Sequence, residues 1–268
     1  MPTVPVAGSK LHVERRGDGE ALLLVQGLGA NGAHWGEPFL RELERDFAVV
    51  AYDHRGIGQS GICNGAVTIP DLATDAVALL DALEIERAHV LGFSMGGMVA
   101  QELALSAPQR VRTLVLAGTS PGGTQAKPTS GDVVNALTSA ALSGDRERML
   151  RTGFGFIVSP PYAAEPGNYE AFAAMARENP ATLGMLMQQQ SAVLGHDAYG
   201  RLRDISVPTL VIHGSEDQML SWINGDLIAS MVPGARLETL EGVGHLVYWE
   251  QPERTAQLVR EHALAHAT

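Results

Sequence analysis

The chain has 268 residues, with 30 acidic against 19 basic side chains and a formal net charge of −11. An acidic balance with no Lys/Arg run excludes a grip on phosphate backbones and disfavours anionic bilayers, so neither nucleic acid nor membrane is an expected partner. The single Cys63 excludes an intrachain disulfide, no apolar run has the length of a bilayer span, and the opening MPTVPVAGSKLHVERRG lacks a basic-then-apolar leader; a cytoplasmic location is expected.

In chain order, LLLVQ (Leu22 to Gln26) and FAVVAYD (Phe47 to Asp53) read as buried strands ending in Gly-rich loops. Thr68 as N-cap, Pro70 in the first turn and Asp71 at the capping-box position open a helix carrying Leu72, Val77, Leu80 and Leu83. A strand at Ala88 to Phe93, a helix from Met95 to Ala107 and a strand at Val111 to Gly118 continue the rhythm. It stops at Thr119. Helical stretches near 132–143, 145–156, 168–178 and 181–195 come next, separated by Pro160-Pro161, Pro166-Gly167 and Gly195. A strand at Val207 to Gly214, a helix near Ser221 to Met231, a strand at Ala235 to Gly242 and a helix after Pro252 complete the chain. The pattern predicts an α/β fold with a mostly parallel sheet flanked by helices. Residues 1–119 and 201–268 are expected to form its core, and 120–200 a helical cap over the strand ends.

Gly92-Phe93-Ser94-Met95-Gly96 matches G-x-S-x-G, placed between a strand and a helix as a nucleophile elbow requires. A serine in such a strained turn crowds its neighbours, which glycines at 92 and 96 relieve, and Gly97 lets the helix lie close. A hydroxyl needs a positioned base, and the base an orienting acid. Asp217 follows the strand ending at Gly214, and His245 follows the last strand. Taken singly, Asp217 could cap a helix and His245 could pack in the core. The order Ser94, Asp217, His245, each beyond a strand C-terminus, argues for a triad. Glu216 is the rival acid. An oxyanion needs two waiting N–H donors. Met95 follows the nucleophile, and Leu28 sits in Gln26-Gly27-Leu28-Gly29, where Gly27 and Gly29 permit close backbone approach to substrate.

From about Val4 onward the chain resembles the α/β-hydrolase superfamily. The segments that carry the resemblance are the elbow, Asp53-His54-Arg55-Gly56-Ile57-Gly58-Gln59-Ser60, and Gly244-His245 with Glu250-Gln251-Pro252-Glu253. The family's Gly-x-x-Asp spacing from Gly214 selects Asp217 over Glu216. Two departures stand out: Gln26-Gly27 replaces the frequent His-Gly, and no proline follows the acid in Gln218-Met219-Leu220. The Ser-Met-Gly-Gly elbow and capped layout are most similar to 3-oxoadipate enol-lactonases, cofactor-free haloperoxidase/esterases and polyketide methylesterases. The resemblance implies a small-molecule ester or lactone as substrate, an acyl-enzyme mechanism and no cofactor. C–C bond hydrolysis, perhydrolysis, acyl transfer to an alcohol and a non-catalytic receptor stay open.

The pocket is harder to read. His34 and Trp35 follow the oxyanion loop and are candidate substrate contacts. In the cap, Phe154, Phe156, Phe172, Met175, Leu183, Met185, Leu186 and Met187 suit an apolar pocket or simply helix packing. Arg146, Arg148, Arg151 and Arg177 could meet a carboxylate, although interspersed acids favour solvated faces for at least three. His54, His196 and His213 read as structural, and no Cys/His cluster suggests a metal.

Overall fold

Eight strands form one sheet: β1 (Thr3–Val6), β2 (Ser9–Arg16), β3 (Glu20–Val25), β4 (Phe47–Tyr52), β5 (Ala88–Phe93), β6 (Val111–Ala117), β7 (Thr209–Gly214) and β8 (Arg236–Leu240). The structure, a computed structural model, describes residues 3–6, 9–62 and 65–266, so Cys63 lies outside the described residues. The spatial order is β1-β2-β4-β3-β5-β6-β7-β8, with β1 and β2 antiparallel and the rest parallel. Every residue of β5 and β7 is buried, as continuous apolar runs covered on both faces should be. The two-residue period sorts side chains between two cores. In β3, Leu23 and Val25 face one, and Leu22 and Leu24 face the other.

Eleven α-helices accompany the strands among the described residues: α1 (Glu37–Leu43), α2 (Ile69–Ala82), α3 (Met95–Ser106), α4 (Gly131–Leu142), α5 (Arg146–Ile157), α6 (Pro160–Ala164), α7 (Asn168–Arg177), α8 (Leu183–Leu194), α9 (Ile223–Met231), α10 (Val247–Glu250) and α11 (Pro252–Leu264). Helices α2 and α3 pack on the core that holds Leu23, and α1 and α11 on the core that holds Leu22. The expected capping box opens α2: the Asp71 N–H donates to Thr68 Oγ1 at 3.2 Å, and the Thr68 N–H donates to Asp71 Oδ2 at 2.9 Å.

Five helices, α4 to α8, occupy the stretch between β6 and β7, whose only ladder contact among the described residues is the isolated pair Gly122 and Asp197. Pro160-Pro161, expected to be a break, opens α6 instead. Ser159 caps it by accepting the Tyr162 N–H, and proline fits a first turn, where its missing N–H has no intrahelical acceptor. Strands β1 and β2 and helices α1 and α10 add to the elements expected from the sequence. Among the described residues no helix is long and apolar enough to cross a membrane.

The order β4-β3-β5 locates a crevice. Chain order reverses there, so the segments leaving β3 and β5 run to opposite faces and leave a gap between them at the strand C-termini.

Candidate functional site

Ser94 stands at that crevice, between β5 and α3, with φ 55° and ψ −119°. This is a left-handed value for a residue with a side chain, and it persists because the surroundings enforce it. The Ser94 N–H donates to the Ala117 carbonyl at 3.0 Å, and its carbonyl accepts the Thr119 hydroxyl at 2.7 Å. A Cβ at Gly92 would stand 2.3 Å from the Gly96 carbonyl oxygen, and one at Gly96 only 2.0 Å from that of Val25. The second clash refines the sequence argument. Gly96 makes room for the neighbouring strand β3, and Gly97 makes room for Thr119.

Asp217 and His245 meet although 28 residues separate them: Asp217 Oδ2 accepts from His245 Nδ1 at 2.7 Å. That bond puts the ring proton on Nδ1 and leaves Nε2 with a lone pair. Asp217 has further donors. His213 Nε2 lies 3.1 Å from Oδ2 and 2.7 Å from the Leu220 carbonyl, which share its proton, and the Met219 and Leu220 N–H groups donate to Oδ1 at 2.9 and 2.8 Å. Burial alone would raise its pKa, but the charge and hydrogen bond of His245 and the hydrogen bond of His213 hold it well below the carboxylate range. A proline at 219 or at 220 would delete one of these donors. The expectation of a structural His213 omits its contact with Asp217, because the two side chains meet only after the loop turns back. Glu216, the rival acid, is exposed.

The histidine is also held from behind. The His245 and Leu246 N–H groups both donate to the Ile157 carbonyl at the end of α5, at 3.0 and 3.1 Å. Glu250 accepts from Gly244 at 2.9 Å and from Ser159 at 3.2 Å. Burial raises the Glu250 pKa, against these donors.

Leu28 and Met95 both line the cavity that holds Ser94 and His245. Met95 begins α3, where the first N–H groups have no intrahelical acceptor. The loop bearing Leu28 is braced on each side. The Gly27 N–H donates to Gln26 Oε1 at 2.7 Å, Gln26 Nε2 reaches the Tyr248 hydroxyl at 3.2 Å, and His54 Nε2 holds the Gln26 carbonyl at 2.9 Å. Gln26 thus points back into its own loop. Gly29 has φ 72°, and its N–H donates to Gln189 Oε1 of α8 at 2.8 Å. A Cβ at Gly27 would stand 3.2 Å from Ser94 Cβ, and one at Gly29 only 2.5 Å from Leu186 Cδ2.

The cavity has a volume of about 1090 Å³. Gly27, Gly29 and His34 line it, whereas Trp35 does not. Trp35 is fully buried, stacked on Phe39 with ring centroids 5.8 Å apart and tilted against Tyr248 at 4.7 Å. The short helical turn at Gly32–Trp35 directs adjacent side chains apart, and the expectation that both contact substrate is corrected for Trp35. Burial lowers the His34 pKa, opposed by the Met175 backbone. His196, expected to be structural, also lines the cavity, and burial takes its pKa down to about 4. Of the residues expected in a cap, Phe172, Met175 and Leu186 line the cavity, Phe154 and Met185 are buried, Phe156 is half-buried, and Leu183 and Met187 are exposed. Arg151 and Arg177 pair with Glu147, and Arg148 bonds Ser139; Arg146 alone of the four lines the cavity. Among the described residues, no group of three or more His, Cys, Asp or Glu is placed to hold a metal.

Comparison with known proteins bears on this arrangement. Residues 20–252 match the model of the alpha/beta hydrolase fold family. The chain is 32% identical over 247 residues to a putative carbamate hydrolase, RutD, of Azorhizobium caulinodans, covering 91% of each chain. It is 29% identical over 238 residues to 3-oxoadipate enol-lactonase 2 of Acinetobacter baylyi, covering 88% of this chain and 85% of the other. The crystal structure of a hydrolase from Pseudomonas aeruginosa superposes with a TM-score of 0.81 at 35% identity, covering 95% of this chain and 94% of that one. With a family match over most of its length, and relatives above 30% identity along nearly all of it, the chain belongs to the α/β-hydrolase family.

Proposed function

We propose that the protein is a serine hydrolase that cleaves a carboxylic ester or lactone through an acyl-enzyme. The observation that carries this reading is the buried Asp217–His245 pair opening on the same cavity as the strained Ser94. The proton on His245 Nδ1 leaves Nε2 as the base. Ser94 Oγ attacks the carbonyl carbon while Nε2 takes its proton, and the Leu28 and Met95 N–H groups receive the oxyanion. The tetrahedral intermediate collapses, the C–O bond to the leaving alcohol breaks, and the imidazolium returns the proton to that alkoxide. Water, deprotonated by Nε2, then attacks the acyl-enzyme and releases the acid and Ser94. Residues 120–200 serve as a cap over the core of 1–119 and 201–268, and Gly27, Gly29 and His34 border the reacting group. The enol-lactonase similarity supports the lactone branch of this reading.

Ser94→Ala is expected to lower ester hydrolysis by about 10⁶-fold, the usual scale for loss of a triad nucleophile. A serine-directed phosphonate should label only the peptide containing Ser94. Retained activity, or labelling elsewhere, overturns the assignment. Esters of graded length, simple lactones and a C–C-cleavable diketone in the same assay separate the reaction classes.

A further inference from the structure

The charge of the cavity wall runs against that of the whole molecule. Acids outnumber bases 30 to 19 in the chain, yet among the described residues no aspartate or glutamate lines the cavity. The charged side chains that do are Lys127 and Arg146. Both are exposed, which puts them where the cavity meets solvent, and neither has an ion pair among the described residues. The neighbouring arginines of α5 are different, since Arg151 is engaged by Glu147 and Arg148 by Ser139.

Lys127 does not sit there on a loose loop. Its N–H donates to Asn224 Oδ1 at 2.7 Å and its carbonyl accepts from Asn224 Nδ2 at 2.9 Å. Asn224 is fully buried in the first turn of α9. Two residues on, the Thr129 hydroxyl donates to the Met219 carbonyl at 2.6 Å, tying this segment to the loop that carries Asp217. Arg146 is fixed differently, as the first residue of α5, whose N-cap Asp145 spends its side chain on the Arg148 N–H. The cavity that these cations share with Ser94 is also lined by apolar, adaptable side chains, among them Met98, Val134, Met149, Leu150 and Met219.

We propose that the preferred substrate is anionic: an ester or lactone whose apolar chain ends in a carboxylate that meets Lys127 and Arg146 at the cavity mouth. This rests on the proposed hydrolase activity and specifies its substrate class. Two unpaired cations beside an apolar channel attract such a group, while a wall without carboxylates offers it no repulsion. His34 and His196 add no charge at neutral pH, since burial lowers both pKa values. The cations are exposed, so each acts mainly on capture of substrate, with an effect that salt screens.

The test compares p-nitrophenyl monoesters of four- to eight-carbon dicarboxylic acids with the same compounds methylated at the free carboxyl. Wild-type kcat/KM should favour the free acid by at least tenfold at one chain length in low salt, and the ratio should fall toward one in 0.5 M salt. Lys127→Ala and Arg146→Ala should each lower that ratio about fivefold, the scale of one exposed charge pair. Lys127→Glu should lower it further. Equal or better turnover of the neutral esters by wild type, or a ratio indifferent to these substitutions, overturns the proposal while leaving a hydrolase. Failure of wild type to cleave any ester or lactone overturns the hydrolase reading itself.

Discussion

Asp217 works as one member of a four-bond arrangement, because a carboxylate buried behind an imidazole needs every oxygen lone pair answered. Its two oxygens divide the work: Oδ1 accepts two backbone N–H groups that set the loop, and Oδ2 faces the two histidines. Asp217→Asn should keep the fold but present a donor to Nδ1, costing about 10⁴-fold in kcat by analogy with other triads. Glu216→Gln, at an exposed neighbour, should cost little. A larger loss in Glu216→Gln than in Asp217→Asn would show that the wrong acid has been named. His213→Leu removes a proton shared between Asp217 and the Leu220 carbonyl, worth about 1 kcal/mol or more, so thermal stability and kcat should both drop. Differential scanning calorimetry with steady-state kinetics reads both, and unchanged values would mean that His213 supports nothing at the acid.

At the scale of elements, α8 is the piece on which the loop from Gln26 to Gly29 leans. Gln189 takes the Gly29 N–H, Leu186 fills the space above Gly29, and Met185 does the same above Gly56. Residues 185, 186 and 189 share one helix face, so one helix closes over two glycine loops at once. Gly29→Ala faces two costs, a left-handed φ and the contact with Leu186. It should lower kcat/KM for esters by at least tenfold. Adding Leu186→Ala should recover the steric part only, leaving a residual loss from the backbone, and a double-mutant cycle on kcat/KM measures the coupling. Strict additivity would mean that α8 does not bear on the loop.

At the scale of the molecule, buried histidines, His196 and His262 among them, should make the fold acid-sensitive. Burial takes the pKa of His196 and of His262 from 6.5 down to about 4, so both are neutral when folded near pH 5. The unfolded chain binds protons on them through that window, so stability is fully present above about pH 6.5 and falls as pH drops toward 4. Asp217 acts lower on the scale, its contribution being lost only as pH falls below the usual carboxylate range. Urea unfolding at pH 7.5 and 4.5 should show a loss of about 2 kcal/mol from His196. His196→Asn should flatten the slope by that amount. A pH-independent midpoint would mean that these rings are solvated in the folded protein.

The alternation of strands and helices, the elbow and the loops after β3, β7 and β8 were legible in the linear chain, because each rests on local chemistry. Buried parallel strands demand apolar runs, tight turns demand glycine, and helix starts demand caps. The family resemblance likewise rested on short segments such as Gly92 to Gly96. What the chain in one dimension could not tell was which side chains converge from distant elements. His213 and His245 reach the same carboxylate only because β7 and β8 are neighbours in the sheet. Trp35 and His34 are adjacent in sequence, yet one is sealed among aromatic rings and the other faces the cavity, a choice made by the packing of Tyr248 and Phe39. Arg146 stands apart from Arg151 and Arg177 because Glu147 reaches Arg151 one turn along α5 and Arg177 across the α5–α7 contact, and not the third. Local propensity is a property of a few consecutive residues, whereas burial and pairing depend on what the rest of the chain brings to the same place.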